Sequence, residues 1–155
     1  MNLQIVRIGP GHLAALIQLF ERISADPEAK FFHPHPFTAA EAAVRAAYAG
    51  PDIYVLMLQL DTPIGYGFLR GWGQQYAVPG LGIYVVADYR GRGAAGVLTA
   101  HLHRAATLRG ATRVRLKVHP EISRARRLYD RLGYRFSSVL ENSEFVGFLD
   151  LSGAP

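Results

Sequence analysis

Leu81-Gly82-Ile83-Tyr84-Val85-Val86-Ala87-Asp88-Tyr89-Arg90-Gly91-Arg92-Gly93-Ala94-Ala95-Gly96-Val97-Leu98 passes from an apolar run to a loop of arginine and glycine, then to a segment of helical periodicity. Leu81–Val86 is short and almost wholly apolar, the pattern of a central strand covered on both faces. Gly91, Gly93 and Gly96, with Ala94 and Ala95, keep side chains small where the helix begins. The first amides of a helix have no partner within it, and the helix dipole adds partial positive charge there. Such an end accepts a phosphate or pyrophosphate. Arg90 and Arg92 add full charges that can bind phosphate oxygens through paired hydrogen bonds. A Walker loop would end in Gly-Lys-Ser or Gly-Lys-Thr, which is absent. Gly91, Gly93 and Gly96 match the spacing of a dinucleotide fingerprint. However, they lie late in the chain, few parallel strands follow, and the next strand ends on Lys117-Val118-His119 rather than on an acid.

Working outward toward the C-terminus, the helix runs to about Arg109, with Leu98, Leu102, Ala105 and Leu108 on one face and Gly110 as its stop. Val114, Leu116 and Val118 alternate with Arg115 and Lys117, which marks a strand. Pro120–Leu132 reads as a helix turning Ile122, Ala125, Leu128, Tyr129 and Leu132 inward, with Gly133 as its stop. Tyr134–Leu140 and Phe145–Leu151 form a final hairpin around Glu141-Asn142-Ser143. On the other side, Leu3–Ile8 is a strand, and His12–Ile23 is an amphipathic helix through Leu13, Leu16, Ile17 and Phe20. Ser24–Phe37 is a long loop rich in aromatic, His and Pro residues. Thr38 and Glu41 make a capping box for a helix over roughly Ala39–Ala49. Ile53–Leu60, the turn Asp61-Thr62-Pro63 and Ile64–Trp72 make a hairpin, joined to Leu81–Val86 by Gly73–Pro79. The order βααβββαβαββ predicts an α/β domain. Its sheet is mixed and mostly antiparallel, with about seven strands and helices on both faces.

The 155 residues fit one domain spanning 1–155, and 50% hydrophobic content supplies its core. The absence of cysteine excludes disulfides, thiol catalysis and thiolate metal sites. Met1–Ile5 lacks the pattern of a signal peptide, and no apolar run nears the roughly 20 residues that span a bilayer. A soluble cytoplasmic protein without a membrane partner is expected. Residues 1–89 hold 5 basic and 7 acidic residues, whereas residues 90–135 hold 12 basic residues against Glu121 and Asp130. That excess fits an anionic ligand, a nucleic acid or a solvated basic face. No helix-turn-helix or stacking-aromatic pattern supports nucleic acid.

Tyr89-Arg90-Gly91-Arg92-Gly93-Ala94-Ala95-Gly96 resembles the acyl-CoA loop of the GNAT superfamily of N-acyltransferases, Gln/Arg-x-x-Gly-x-Gly/Ala, with Arg90, Gly93 and Ala95 at its fixed positions. Ala125-Arg126-Arg127-Leu128-Tyr129-Asp130-Arg131-Leu132-Gly133-Tyr134 is similar to the family's second signature, Ala-x-x-Leu-Tyr-x-x-x-Gly-Phe. The resemblance implies that acetyl-CoA is the co-substrate and that the acetyl group passes directly to a primary amine. It implies that the pyrophosphate rests on amides of about Arg92–Val97. The pantetheine arm would pair with Ile83, Tyr84, Val85 and Val86, in a gap where that strand splays from the next. A backbone N–H near Val85 would polarise the thioester carbonyl. Tyr129 would be the general acid to the leaving thiolate. Arg124 and Arg127, at i, i+3, form a candidate site for the adenosine 3′-phosphate. His33 and His35, in the loop that helps line the family's acceptor side, are candidates to orient or deprotonate the amine. The His-Pro-His spacing is a poor metal pair, and no metal site is expected. His119 follows the strand ending at Val118, near where the family's sheet opens; it is read as leading into the helix after Pro120, with facing the amine as the alternative. Trp72, Gln74, Gln75 and Tyr76 are candidates to shape the acceptor pocket.

Two positions depart from the family pattern. Ile122 replaces an Asn that contacts the pantetheine arm, and Pro79-Gly80-Leu81-Gly82 lacks the carboxylate often used as a base. The acceptor reads as a small molecule such as an amino sugar, amino acid or antibiotic. The alternatives are a protein N-terminus or lysine, or a non-catalytic acyl-CoA-binding module. Dimers are common in the superfamily, so a homodimer is a possible assembly.

Overall fold

Apolar and alternating runs pair into a sheet that is almost two sheets. β1 (Leu3–Arg7), β2 (Ile53–Gln59), β3 (Thr62–Arg70) and β4 (Gly80–Val85) form one antiparallel half. β5 (Arg113–Val118), β6 (Arg135–Phe136) and β7 (Phe145–Asp150) form the other, with β7 in the middle. The order is β1-β2-β3-β4-β5-β7-β6. The halves meet through a single parallel pair, Gly80 with Arg115, where the Arg115 N–H donates to the Pro79 carbonyl at 3.0 Å. The computed structural model describes residues 1–151, so the last four residues of the expected domain lie outside the described residues.

Four helices pack on this sheet: α1 (Leu13–Ala25), α2 (Ala39–Ala46), α3 (Ala94–Leu108) and α4 (Ser123–Arg131). Strand alternation sends neighbouring residues of β3 to opposite faces. Tyr66 packs edge-on against Phe20 of α1, with ring centroids 5.4 Å apart. Gly67 looks the other way, and a Cβ there would meet Leu102 of α3 at 3.0 Å. The glycine is thus what lets α3 lie close to the sheet. The α/β class, the mixed and mostly antiparallel sheet and the element order agree with the sequence reading.

The element ends differ for identifiable reasons. Ser24–Phe37 is less irregular than expected. Asp26 caps a 3-10 turn, Pro27–Phe31, by accepting the Glu28 N–H at 3.0 Å. Thr38 accepts the Glu41 N–H at 3.1 Å, while the Glu41 carboxylate turns to Arg45 instead of closing the capping box. On α3, Ala106 follows Leu98 and Leu102 into the core, and Leu108 is 75% exposed where the helix runs past the sheet. α4 begins at Ser123 rather than at Pro120, because the His119 ring takes the Glu121 N–H at 3.2 Å and shapes a separate turn. The expected strand Tyr134–Leu140 is only two residues long. Ser137 Oγ accepts the Val139 N–H at 3.2 Å and breaks the ladder there.

Candidate functional site

Beyond Gly80 and Arg115 the two inner strands separate, and a cleft of about 400 Å³ fills the space. Hydrogen-bond directions alternate along a strand. Val86 donates to Ile64 on β3, whereas the Pro79 carbonyl faces β5. By that alternation Ile83 and Val85 aim their peptide groups into the gap, and Lys117, two residues after Arg115, does so from β5. The splay expected of this strand pair is present, and it leaves peptide donors and acceptors facing an open space.

The glycine loop forms one lip of this cleft. Gly91 and Gly93 hold φ of +72° and +87°, a conformation that costs other residues strain. Nothing lies within 4 Å of where a Cβ at Gly91, Gly93 or Gly96 would stand. The first helical bond runs from the Val97 N–H to the Gly93 carbonyl at 3.2 Å. The amides of Ala94, Ala95 and Gly96 therefore have no partner inside α3. A bare, positively polarised helix end with empty space over it fits the pyrophosphate of a nucleotide-bearing ligand.

Arg90 serves this lip differently from the sequence reading. Its Nε donates to the Val85 carbonyl at 2.9 Å, Nη1 to Glu28 at 2.8 Å and Nη2 to Asp26 at 2.7 Å. Arg124 grips both oxygens of Glu28, at 2.9 and 2.8 Å, and the Tyr84 hydroxyl donates to Asp26 at 2.6 Å. A strap of alternating charge thus joins the β4 end, the Pro27–Phe31 turn and the start of α4. Burial opposes ionisation of Asp26, but hydrogen bonds from Tyr84, Arg90 and the Glu28 N–H outweigh it, and its carboxyl stays below the usual range. Hydrogen bonds from Arg124 hold Glu28 down as well, against a smaller penalty from burial. Arg92 does not line the cleft: its guanidinium lies over the Tyr89 ring, 4.7 Å from the centroid. Val86 and Ala94 are buried behind the lip, and Val97 and Arg127 are exposed outside it.

Tyr129 lies on the opposite wall. It is buried against Tyr134, with ring centroids 5.3 Å apart, yet it lines the cleft. Its hydroxyl has no hydrogen-bond partner among the described residues. Burial raises its pKa well above the usual phenol value, so the hydroxyl keeps its proton. Ile122, Ala125 and Leu128 line the cleft beside it and are half-buried; Leu132, also read as inward, is 38% exposed. α4 borders both the core, through Tyr129, Ala125 and Leu128, and the cleft, so helical periodicity marked a face that serves both.

The two loop histidines separate. His35 points away from the cleft: Nδ1 donates to the Pro36 carbonyl at 2.8 Å, so Nε2 accepts from the Tyr66 hydroxyl at 2.7 Å. Burial lowers its pKa and keeps it neutral. With both nitrogens committed, His35 ties the loop to the core. His33 is exposed in a hollow that adjoins the cleft. His119, between the two readings given it, both shapes the turn before α4 and lines both spaces, its ring tilted against Phe31 with centroids 4.1 Å apart. Trp72, Gln74, Gln75 and Tyr76 line neither. Asp26, Glu28 and Phe31 were missed. The Asp-Pro pair at 26 and 27 is the signal that could have found the turn, since Asp caps and Pro opens helical turns.

A model described as the acetyltransferase (GNAT) family matches residues 16–134. No curated protein matches the chain. Among solved structures, the GNAT domain of S. lividans PAT has a TM-score of 0.80 at 20% identity, covering 96% of this chain and 90% of its own. The PaiA N-acetyltransferase from Thermoplasma acidophilum, solved with coenzyme A, has a TM-score of 0.78 at 16% identity, covering 97% and 99%. The ribosomal-protein-S18-alanine N-acetyltransferase from Escherichia coli has 0.72 at 19% identity, covering 99% and 96%. At these identities the likeness is one of fold.

Proposed function

Because the chain belongs to the GNAT acetyltransferase family, we propose that it moves an acetyl group from acetyl-CoA to a primary amine held in the same cleft. The observation that carries this reading is the opening of the sheet after one backbone pair, with bare helix amides on one lip and the unpartnered Tyr129 hydroxyl on the other wall. Acetyl-CoA supplies an activated thioester: nitrogen bonds to the acetyl carbon, the carbon–sulfur bond breaks, the thiolate gains a proton and the amine loses one.

The residues divide this work. Amides of Ala94, Ala95 and Gly96 receive the pyrophosphate, and the peptide groups of Ile83 hold the pantetheine arm as a further strand would. The Val85 N–H serves as the donor to the carbonyl oxygen as charge builds there. Ile122, Ala125 and Leu128 keep water off the arm. Tyr129 gives its proton to the departing sulfur; the raised pKa means that it holds that proton at neutral pH. Asp26 and Glu28, pinned as carboxylates by arginine, are poor bases. His33, exposed beside the cleft, takes the amine's proton.

Thiol release from acetyl-CoA with a panel of amines tests this reading. Native protein is expected to release thiol only when an amine is present. Tyr129→Phe should lower kcat by roughly 10²- to 10⁴-fold while acetyl-CoA still raises the melting temperature as in the native chain. Release that the substitution leaves untouched would remove Tyr129 from the reaction. Stabilisation by acetyl-CoA without release for any amine would leave a binding module.

A further inference from the structure

Beside the cleft lies a second hollow, between the Pro27–Phe31 turn and the β6–β7 connection. The two spaces share Phe31, Lys117 and His119 as a common wall. The hollow is therefore next to the cleft, with the Phe31 and His119 rings at the boundary, their centroids 4.1 Å apart.

The charges around these spaces are not distributed alike. Of the arginines lining the cleft, Arg90 and Arg124 have a carboxylate oxygen 2.7 and 2.8 Å away, and Arg131 has no carboxylate partner among the described residues. Lys30 and Lys117, in the hollow, have none among the described residues. Lys30 instead lies 5.0 Å from the Phe31 ring centroid, which keeps its ammonium beside the hollow. His119 Nδ1 accepts the Glu121 N–H, so the proton of its neutral ring sits on Nε2, which is free to donate. Against these donors stand two carboxylates: Glu144, which lines the hollow on the turn that also brings Ser143, and Glu121, whose Oε2 lies 3.9 Å from His119 Nδ1 outside it. Unpaired ammonium groups beside a binding space favour an anion and repel a second cation.

We propose that the acceptor is an amine that also carries an anionic group, held by Lys30, Lys117 and His119 while the amine points into the cleft. This rests on the acetyl-transfer reading above. The chemistry is shared by amino carboxylates and amino sugar phosphates. It disfavours polyamines and polycationic antibiotics, which would place further ammonium groups against two unpaired lysines.

Matched pairs of acceptors test it. An α-amino acid is compared with its amide, glucosamine 6-phosphate with glucosamine, and spermidine serves as the cationic control. Removing a carboxylate makes the neighbouring amine less basic and leaves more of it unprotonated. Intrinsic reactivity therefore favours the amide, and a preference for the acid arises from the protein. The anionic member of at least one pair is expected to show the higher kcat/KM; which pair does so separates carboxylate from phosphate. Lys30→Met and Lys117→Met should each shrink that preference roughly tenfold to a hundredfold, chiefly through the acceptor's KM. Equal use of both members, a preference for spermidine, or an unchanged preference in both variants would overturn the proposal while acetyl transfer stands. No turnover with any amine, with acetyl-CoA still bound, would overturn both.

Discussion

Gly96 separates two properties that mutations usually confound. It sits in the first turn of α3 with open space where a Cβ would go, and it lines the cleft. Alanine is the better helix former by about 1 kcal/mol, so Gly96→Ala is expected to raise the urea midpoint. The same methyl enters the space over the helix amides, so calorimetry should find acetyl-CoA binding weaker. A variant that is both more stable and binds equally well would move the ligand off this lip. Residue by residue, glycines and Tyr129 were legible because a backbone conformation or a family signature fixes them. His119 was legible only as one of two readings, because its place depends on a ring set against Phe31, 88 positions away by residue number. Arg90 was legible as a member of the loop, but not the two acids that hold it.

At the scale of elements, the strap through Glu28 decides how the Pro27–Phe31 turn sits against α4. Its Glu28 side chain is 40% exposed, so solvent screens much of the attraction to Arg90 and Arg124. Glu28→Gln should cost about 1 kcal/mol of stability, discounted for that screening. It also leaves two guanidinium groups short of a partner beside an anion site, so acetyl-CoA should bind more tightly and stabilise the variant by more than it does the native chain. Weaker binding would mean that Glu28 shapes the site rather than competing for its cations. Sequence periodicity located most of the helices and strands through their apolar faces, and the Thr38–Glu41 pair located α2. The strap and the shortened β6 escaped it, since both follow from polar side chains capturing backbone or charge over a distance: Ser137 taking an amide, Glu28 bridging two arginines.

For the molecule as a whole, buried titratable groups set a window of stability. Burial lowers the pKa of His35 and His103 from an ordinary 6.5, so the stability they lend is present above that pH and lost as pH falls below it. Asp26 and Glu28, lowered from 3.8 and 4.5, add a second loss at more acid pH. Tyr66, Tyr129 and Tyr134, raised by burial from 10.0, contribute fully below that value and lose their contribution as pH climbs past it. Urea midpoints should therefore be flat between about pH 7 and pH 9, fall below about 6.5, and fall more steeply below about 4.5. A midpoint that rose from pH 7 to pH 5 would mean that the two imidazoles gain by charging. The open seam between β4 and β5 has a bearing on life in a crowded solution. Unpaired strand edges recruit strands from neighbouring molecules and seed aggregates. Here the two bare edges face each other inside one sheet, while β3 and β7 occupy their other sides. On the outside, the sheet ends in β1, five residues long, and in β6, only two. The chain keeps the adhesive backbone of β4 and β5 for its own use, turned away from other copies.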